Sequence, residues 1–301
     1  MMRQAILKAL AYFDLFDYPL TLIELWKYLP GLTPCSLEEA RQEVLKSRET
    51  GAIEELNGFF FLPGRGEIVR VRQQRYLIAE RKYRRALRVA RWLRRIPGIR
   101  LIAVANTLAW SHAAEASDID FFIITRPGSL WTSRLLGVLP FFWARPRPGR
   151  ERDTFCFSFW ATETALDLQK IACQPSDPYL AYWLASLVPV YDPDGLAEAL
   201  WEANPWMSQY LPNARPVISS FRRRVTASSR RSPTAVVAPR RLREAAARAA
   251  QLLWLPAGLR RLMNVDQRVV VTDELLKFHE NDRRQEIFER YQKRCGELGI
   301  V

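Results

Sequence analysis

The sequence predicts a mixed α+β chain, and three features carry that prediction. Two S/T-x-x-E signatures and an Asn-Gly turn fall within the first 64 residues, β-branched and aromatic runs alternate with helical stretches between 99 and 162, and a mostly helical pattern follows 176. With 301 residues, 49% of them hydrophobic, the chain has enough core material for more than one compact unit. The predicted organisation is a first unit over 1–64, a basic linker helix over 65–98, a small mixed-sheet core over 99–175 and a helical C-terminal region over 176–301 that closes with a short strand at VVV, 269–271, and a helix.

In the first unit, residues 3–13 have helical periodicity, and Thr21 with Glu24 and Ser36 with Glu39 form capping boxes that each start a further helix. The third helix ends near Gly51, and AIEELNGFFFL then places two short apolar strands on either side of Asn57-Gly58, a strong hairpin signal. Three helices and a hairpin are the outline of a winged helix. Its third helix would enter a DNA groove, yet Glu38, Glu39, Glu43 and Glu49 outnumber Arg41, Lys46 and Arg48 there. The expectation is a winged helix that docks on protein rather than one that reads a base sequence.

The next stretch reverses the charge. Residues 65–100 hold thirteen arginines and lysines against Glu67 and Glu80, within a chain of net charge +13 and pI near 10.0. Such an excess points to RNA or another polyanion as partner. Tyr76, Tyr83, Leu87 and Trp92 recur near helical spacing and are expected to face the core. A second arginine-dense segment, near 222–261, carries the same expectation, and ARPRPGRERD over 144–153 reads as a basic, proline-rich loop.

RLIAVAN and IDFFIIT read as strands, Ser129 as the cap of a helix carrying Trp131 and Arg134, and TFCFSFWAT over 154–162 as a third strand. Asp118 and Asp120 stand two positions apart at the head of IDFFIIT. Side chains at i and i+2 share one face of a strand, so the two carboxylates are expected side by side, and oxygen donors so placed suit Mg²⁺ or Mn²⁺.

This arrangement resembles the nucleotidyltransferase superfamily, which includes DNA polymerase β and the antibiotic nucleotidyltransferases. Its signature is hG[GS], a gap of about ten residues, then Dh[DE]h. Ala105-Asn106-Thr107 stands at the first half and Asp118-Ile119-Asp120-Phe121 at the second, with eleven positions from Thr107 to Asp118. The wider chain resembles a bacterial subgroup in which a winged helix precedes such a domain. The resemblance implies a metal-dependent transfer of a nucleotidyl group from a nucleoside triphosphate to an acceptor hydroxyl. Asp118 and Asp120 would be the catalytic metal ligands, Asn106 and Thr107 the phosphate turn, and Arg126 and Arg134 contacts to the triphosphate. Asn106 replaces the usual glycine but tolerates positive φ. The pattern also calls for a third acid on the next strand, and the face carrying Thr154, Cys156 and Ser158 has none; Asp153 and Glu163 flank it. The alternative is therefore an inactive copy of the fold that serves as a nucleic-acid-binding or regulatory protein.

The remaining candidates are His112, read as a polar loop residue, and His279, Asp282 and Arg283, read as a polar network on one face of the last helix. Cys35, Cys156, Cys173 and Cys295 are scattered without a CxxC pair, which argues against zinc and for free thiols in a reducing cytoplasm. MMRQAILKAL opens as an amphipathic helix rather than a secretion signal. PYLAYWLASLVPVY is shorter than the roughly 18–20 residues of a membrane span and reads as a buried helix.

Overall fold

The computed structural model describes residues 1–31, 33–143, 153–174, 176–226 and 240–300. The proline-rich loop over 144–152 and the middle of the second arginine-dense segment, 227–239, lie outside the described residues. The chain is mixed α+β, with twelve α-helices and two sheets among the described residues.

Helix α1 (Met2–Asp14) buries Ile6, Leu10 and Phe13 along one face. Strand β1 (Leu20–Thr21) leads into α2 (Leu22–Lys27), and α3 (Leu37–Glu49) follows. Both capping boxes form: the Thr21 and Ser36 hydroxyls accept the amides of Glu24 and Glu39, whose carboxylates return to the cap backbone. Strands β2 (Glu54–Leu56) and β3 (Phe59–Phe61) close over Asn57 (φ 56°) and Gly58 (φ 80°), and β1 completes a sheet of order β1-β3-β2. The first 64 residues do not hold a core of their own. Ile6, Leu10 and Phe13 belong to one buried cluster with Leu101, Phe122 and Phe159 of the larger sheet.

Helix α4 (Glu67–Leu93) presents Ala79, Tyr83, Ala86, Ala90 and Leu93 to that larger sheet. There follow β4 (Ile99–Val104), α5 (Asn106–Ala109), β5 (Ile119–Thr125), α6 (Leu130–Trp143) and β6 (Phe155–Thr162). Strand β5 runs antiparallel to β4 and parallel to β6, and an extra residue in β6 between the pairs Asp120–Cys156 and Phe122–Phe159 makes a bulge at Ser158. Beyond lie α7 (Pro178–Ser186), β7 (Val188–Tyr191), the short helices α8 (Leu196–Glu202) and α9 (Trp206–Tyr210), α10 (Arg240–Leu253), α11 (Ala257–Leu262), β8 (Val269–Val271), β9 (Leu275–Phe278) and α12 (Arg284–Glu297). The sheet order is β7-β4-β5-β6-β9-β8. One face packs on α4, α6 and α10; the other packs on α7, whose Tyr182 stacks on Tyr12 at 4.0 Å between ring centres.

Two expectations are corrected. The region after 176 supplies three strands of the large sheet, the expected VVV strand and two more, and the run read as one buried helix ends at Ser186, where Val188 and Val190 turn inward as an edge strand. An edge position tolerates Pro189, which has no amide to donate. Likewise Leu275–Phe278 is a strand and α12 starts only at Arg284, so His279, Asp282 and Arg283 occupy a turn rather than a helix face. None of the described helices is both long and apolar enough to cross a membrane.

Candidate functional site

Ile119 is fully buried toward α4 and α6, and Asp120, the next residue along the strand, projects from the opposite side into a cavity. Asp118 is exposed, and its carboxylate accepts the Thr154 hydroxyl. Asp120 is half-buried. Burial pushes its carboxyl above the usual aspartate range and the Asp118 charge adds to this, against hydrogen bonds from the Asn106 amide and Cys156 thiol and the charge of Lys82.

Asn106 begins α5 at φ 56°, the left-handed conformation that the turn was expected to need. The turn is tied to the strand by Ala105 N–H donating to the Asp120 carbonyl at 3.0 Å, and the Tyr179 hydroxyl donates to Asn106 Oδ1 at 3.1 Å. These residues meet in a cavity of about 320 Å³. Asp120, Asn106 and Cys156 line one side, Lys277, His279, Asp282 and Arg284 the other, with Tyr179 and Trp183 between. Two larger hollows, of about 520 Å³ beside α1 and α12 and about 570 Å³ between α6 and α10, lie away from the aspartates. The smaller cavity is the candidate site because the carboxylate and the strained turn converge there.

The far wall is held rigidly. Asp282 takes Lys277 Nζ at 2.6 Å and Arg284 Nε at 3.0 Å, and Arg284 also reaches Asp177 at 2.7 Å. Burial would raise the Asp282 carboxyl, but the hydrogen bonds and charges of Arg284 and Lys277 hold it down to about 2. Asp177 in turn caps α7 through Leu180 N–H at 2.8 Å. His279 Nε2 lies 2.7 Å from the Ser158 hydroxyl, and burial, aided by Lys277, lowers its pKa to about 4, so the imidazole is neutral near pH 7.

Neither flanking acid arrives, and Asp282, the C-terminal acid on the cavity wall, is bound by Lys277 and Arg284. Register places Cys156 beside Asp120, and burial with the Asp120 charge pushes that thiol up to about 12. Asp153 turns to α4, where Lys82 (3.1 Å), Arg81 (3.2 Å) and Arg85 (2.9 Å) surround it, and Glu163 sits at the far end of β6, 3.4 Å from Arg100. Among the described residues no group of three or more His, Cys, Asp or Glu side chains is gathered to hold a metal. Of the two predicted ligands only Asp120 lines the cavity; Asp118 stands exposed at the head of its strand, bonded to Thr154.

Other predicted residues are placed elsewhere. Thr107 lines a separate hollow of about 30 Å³ under Trp110 and Tyr179. Arg126 is exposed just past the C-terminal end of β5, a strand length from Asp120. Arg134 lies on the opposite face of the sheet, bonded to Gln251 Oε1 at 2.6 Å and stacked on Phe278 at 4.4 Å. His112 is buried, bonded at Nε2 to Arg75 (2.7 Å) and the Phe16 carbonyl (3.0 Å), and helps join α4 to the first unit. Conversely, Cys156, Tyr179 and Lys277 are cavity residues that carried no functional signal in the sequence; only the shared strand face of Cys156 and Ser158 hinted at the first.

No family model matches the chain, and no curated protein or solved structure matches it either.

Proposed function

We propose that the chain is a nucleotidyltransferase-like protein that binds a nucleoside triphosphate with Mg²⁺ in the 320 Å³ cavity, and that residues 1–64 are a winged helix serving as a docking module. The observation that carries this reading is Asp120 facing the cavity while hydrogen-bonded to Asn106, a non-glycine residue held at φ 56° in the turn just before it. The helix–strand–turn–strand–helix–strand order of α4, β4, α5, β5, α6 and β6 supports it. Asp118 and Asp120 would hold the ion, which supplies charge neutralisation on triphosphate oxygens. Asn106 and Tyr179 fix the turn, Trp183 and Phe159 give the cavity an apolar wall, and His279 and Lys277 close the far side.

Binding is favoured over efficient transfer because Cys156, a protonated thiol, stands where an acid would activate the attacking hydroxyl. The four free thiols fit a reducing cytoplasm. The test is thermal denaturation of the full chain with nucleoside triphosphates, with and without Mg²⁺. The expected result is a Mg²⁺-dependent stabilisation, about 2.7 kcal/mol at a hundredfold excess over Kd, that is lost in Asp118→Asn and Asp120→Asn. Equal stabilisation of parent and variants would overturn the assignment.

A further inference from the structure

The strongly basic helix α4 divides into two parts. In its N-terminal part and the loop before it, the cations other than the lone exposed Arg70 are consumed internally. Arg65 binds Asp14 and Asp17, Arg72 binds Glu24, Arg75 binds His112, and Arg81, Lys82 and Arg85 converge on Asp153. The C-terminal part and the turn after it are different. Arg84, Arg88, Arg91 and Arg95 are exposed, and none makes an ion pair or hydrogen bond with the described residues. Their spacing of four, three and four keeps them within an arc of about 60° over a rise of about 16 Å. The opposite side of the same segment, Tyr83, Ala86, Ala90 and Leu93, is buried on the sheet, so the row points outward.

We propose that this row is a docking surface for the phosphate backbone of a nucleic-acid duplex. A duplex carries one negative charge per about 1.7 Å of axis with both strands counted and about 3.4 Å along either strand, so a row of guanidinium groups about 16 Å long spans about five phosphates of one strand, and arginine forks match phosphate oxygens. Four like charges with no counter-charge among the described residues repel one another, and a polyanion relieves that repulsion. A bilayer is the poorer fit. The only large apolar side chains exposed along α4 are Tyr76 and Leu77, outside the arginine row, and no apolar anchor interleaves with the four arginines. The contact carries no base readout, because the row offers only long cations to the backbone. It also lies on the side of the sheet opposite Asp120, so occupancy of the cavity and of the row are independent.

The experiment is fluorescence anisotropy of the full chain, without nucleotide, against a duplex of about 20 base pairs across about 50–200 mM salt. A variant reversing all four positions (Arg84→Glu, Arg88→Glu, Arg91→Glu, Arg95→Glu) is compared with one reversing exposed Arg3, Lys46, Lys170 and Lys293, which has the same net charge. The row variant is expected to flatten the slope of log K against log salt by about 3–4 and to weaken binding about 100-fold or more at the lowest salt, whereas the control keeps most of the slope. Replacing the same four arginines by lysine is expected to retain the slope. Equal losses in row and control variants, an unchanged slope in the row variant, or binding to anionic phospholipid vesicles but not to duplex would each overturn the proposal. Nucleotide stabilisation measured on the same row variant reads the cavity separately.

Discussion

Asp120 and Asp153 lie at the same end of neighbouring strands, yet their environments drive them apart. Asp120 points to the cavity face, where burial and Asp118 raise its pKa. Asp153 points to the α4 face. Burial alone would raise it too, but Lys82, Arg81 and Arg85 together hold it below the usual range. A carboxylate whose cations are already supplied by its own chain is structural, while one left short of them is available to an external cation. Both acids stand at the head of a strand in the sequence; the face of the sheet separates them.

The largest expected effect tests the structural side of this comparison. Asp153→Ala leaves Lys82, which is fully buried, with only the Glu115 and Ser117 carbonyls as partners. Breaking a buried ion pair from one side costs about 3–5 kcal/mol, read as a drop in the denaturant midpoint. Adding Lys82→Met should return a large part of that loss, because the uncompensated charge is then gone. A loss below about 1 kcal/mol in the single variant would show that Asp153 is not held as the geometry indicates.

An intermediate effect comes from giving the cavity face the acid it lacks. Cys156→Asp puts a third carboxylate beside Asp120, and without a cation the crowded charges and their burial should destabilise the chain by about 2–3 kcal/mol near pH 7. Millimolar Mg²⁺ should recover most of that loss in the variant and have little effect on the parent, which keeps only two carboxylates at the site. Thermal melts with and without Mg²⁺ decide it, and a variant indifferent to the ion counts against the metal reading of Asp118 and Asp120.

Much of the frame behind these tests was legible because its signals are local. The caps at Thr21 and Ser36, the Asn57-Gly58 turn and the left-handed turn at Asn106 all lie within a few residues of the structure they specify. The far wall of the cavity was not legible, since Lys277 and His279 reach it only through pairing of β9 with β6 across more than a hundred residues. Arg134 misled for another reason. Its helix, LWTSRLLGVLPFFW, is apolar on nearly every side, so no polar stripe marks which way the arginine faces. The fate of Asp153 likewise depends on cations some seventy residues upstream.

The smallest expected effect is also the most diagnostic for the cavity. A carboxyl whose folded pKa is raised above its unfolded value binds its proton more tightly in the folded state. Its contribution therefore favours folding at low pH, and stability is lost as pH rises from the unfolded value through the raised one. Once pH has passed through the raised value, the ionised Asp120 is a standing cost. Asp120→Asn keeps a side-chain oxygen to accept the Asn106 amide and removes the charge, so the ligand-free variant should be more stable than the parent by about 1 kcal/mol near pH 7, with the difference shrinking toward pH 4. The same substitution should abolish Mg²⁺-dependent triphosphate binding. Higher stability with lost binding is the signature of a residue kept for a ligand, because a purely structural aspartate such as Asp153 should move stability the other way. A destabilised Asp120→Asn protein at pH 7 would place Asp120 among the structural acids and remove the contrast between the two faces.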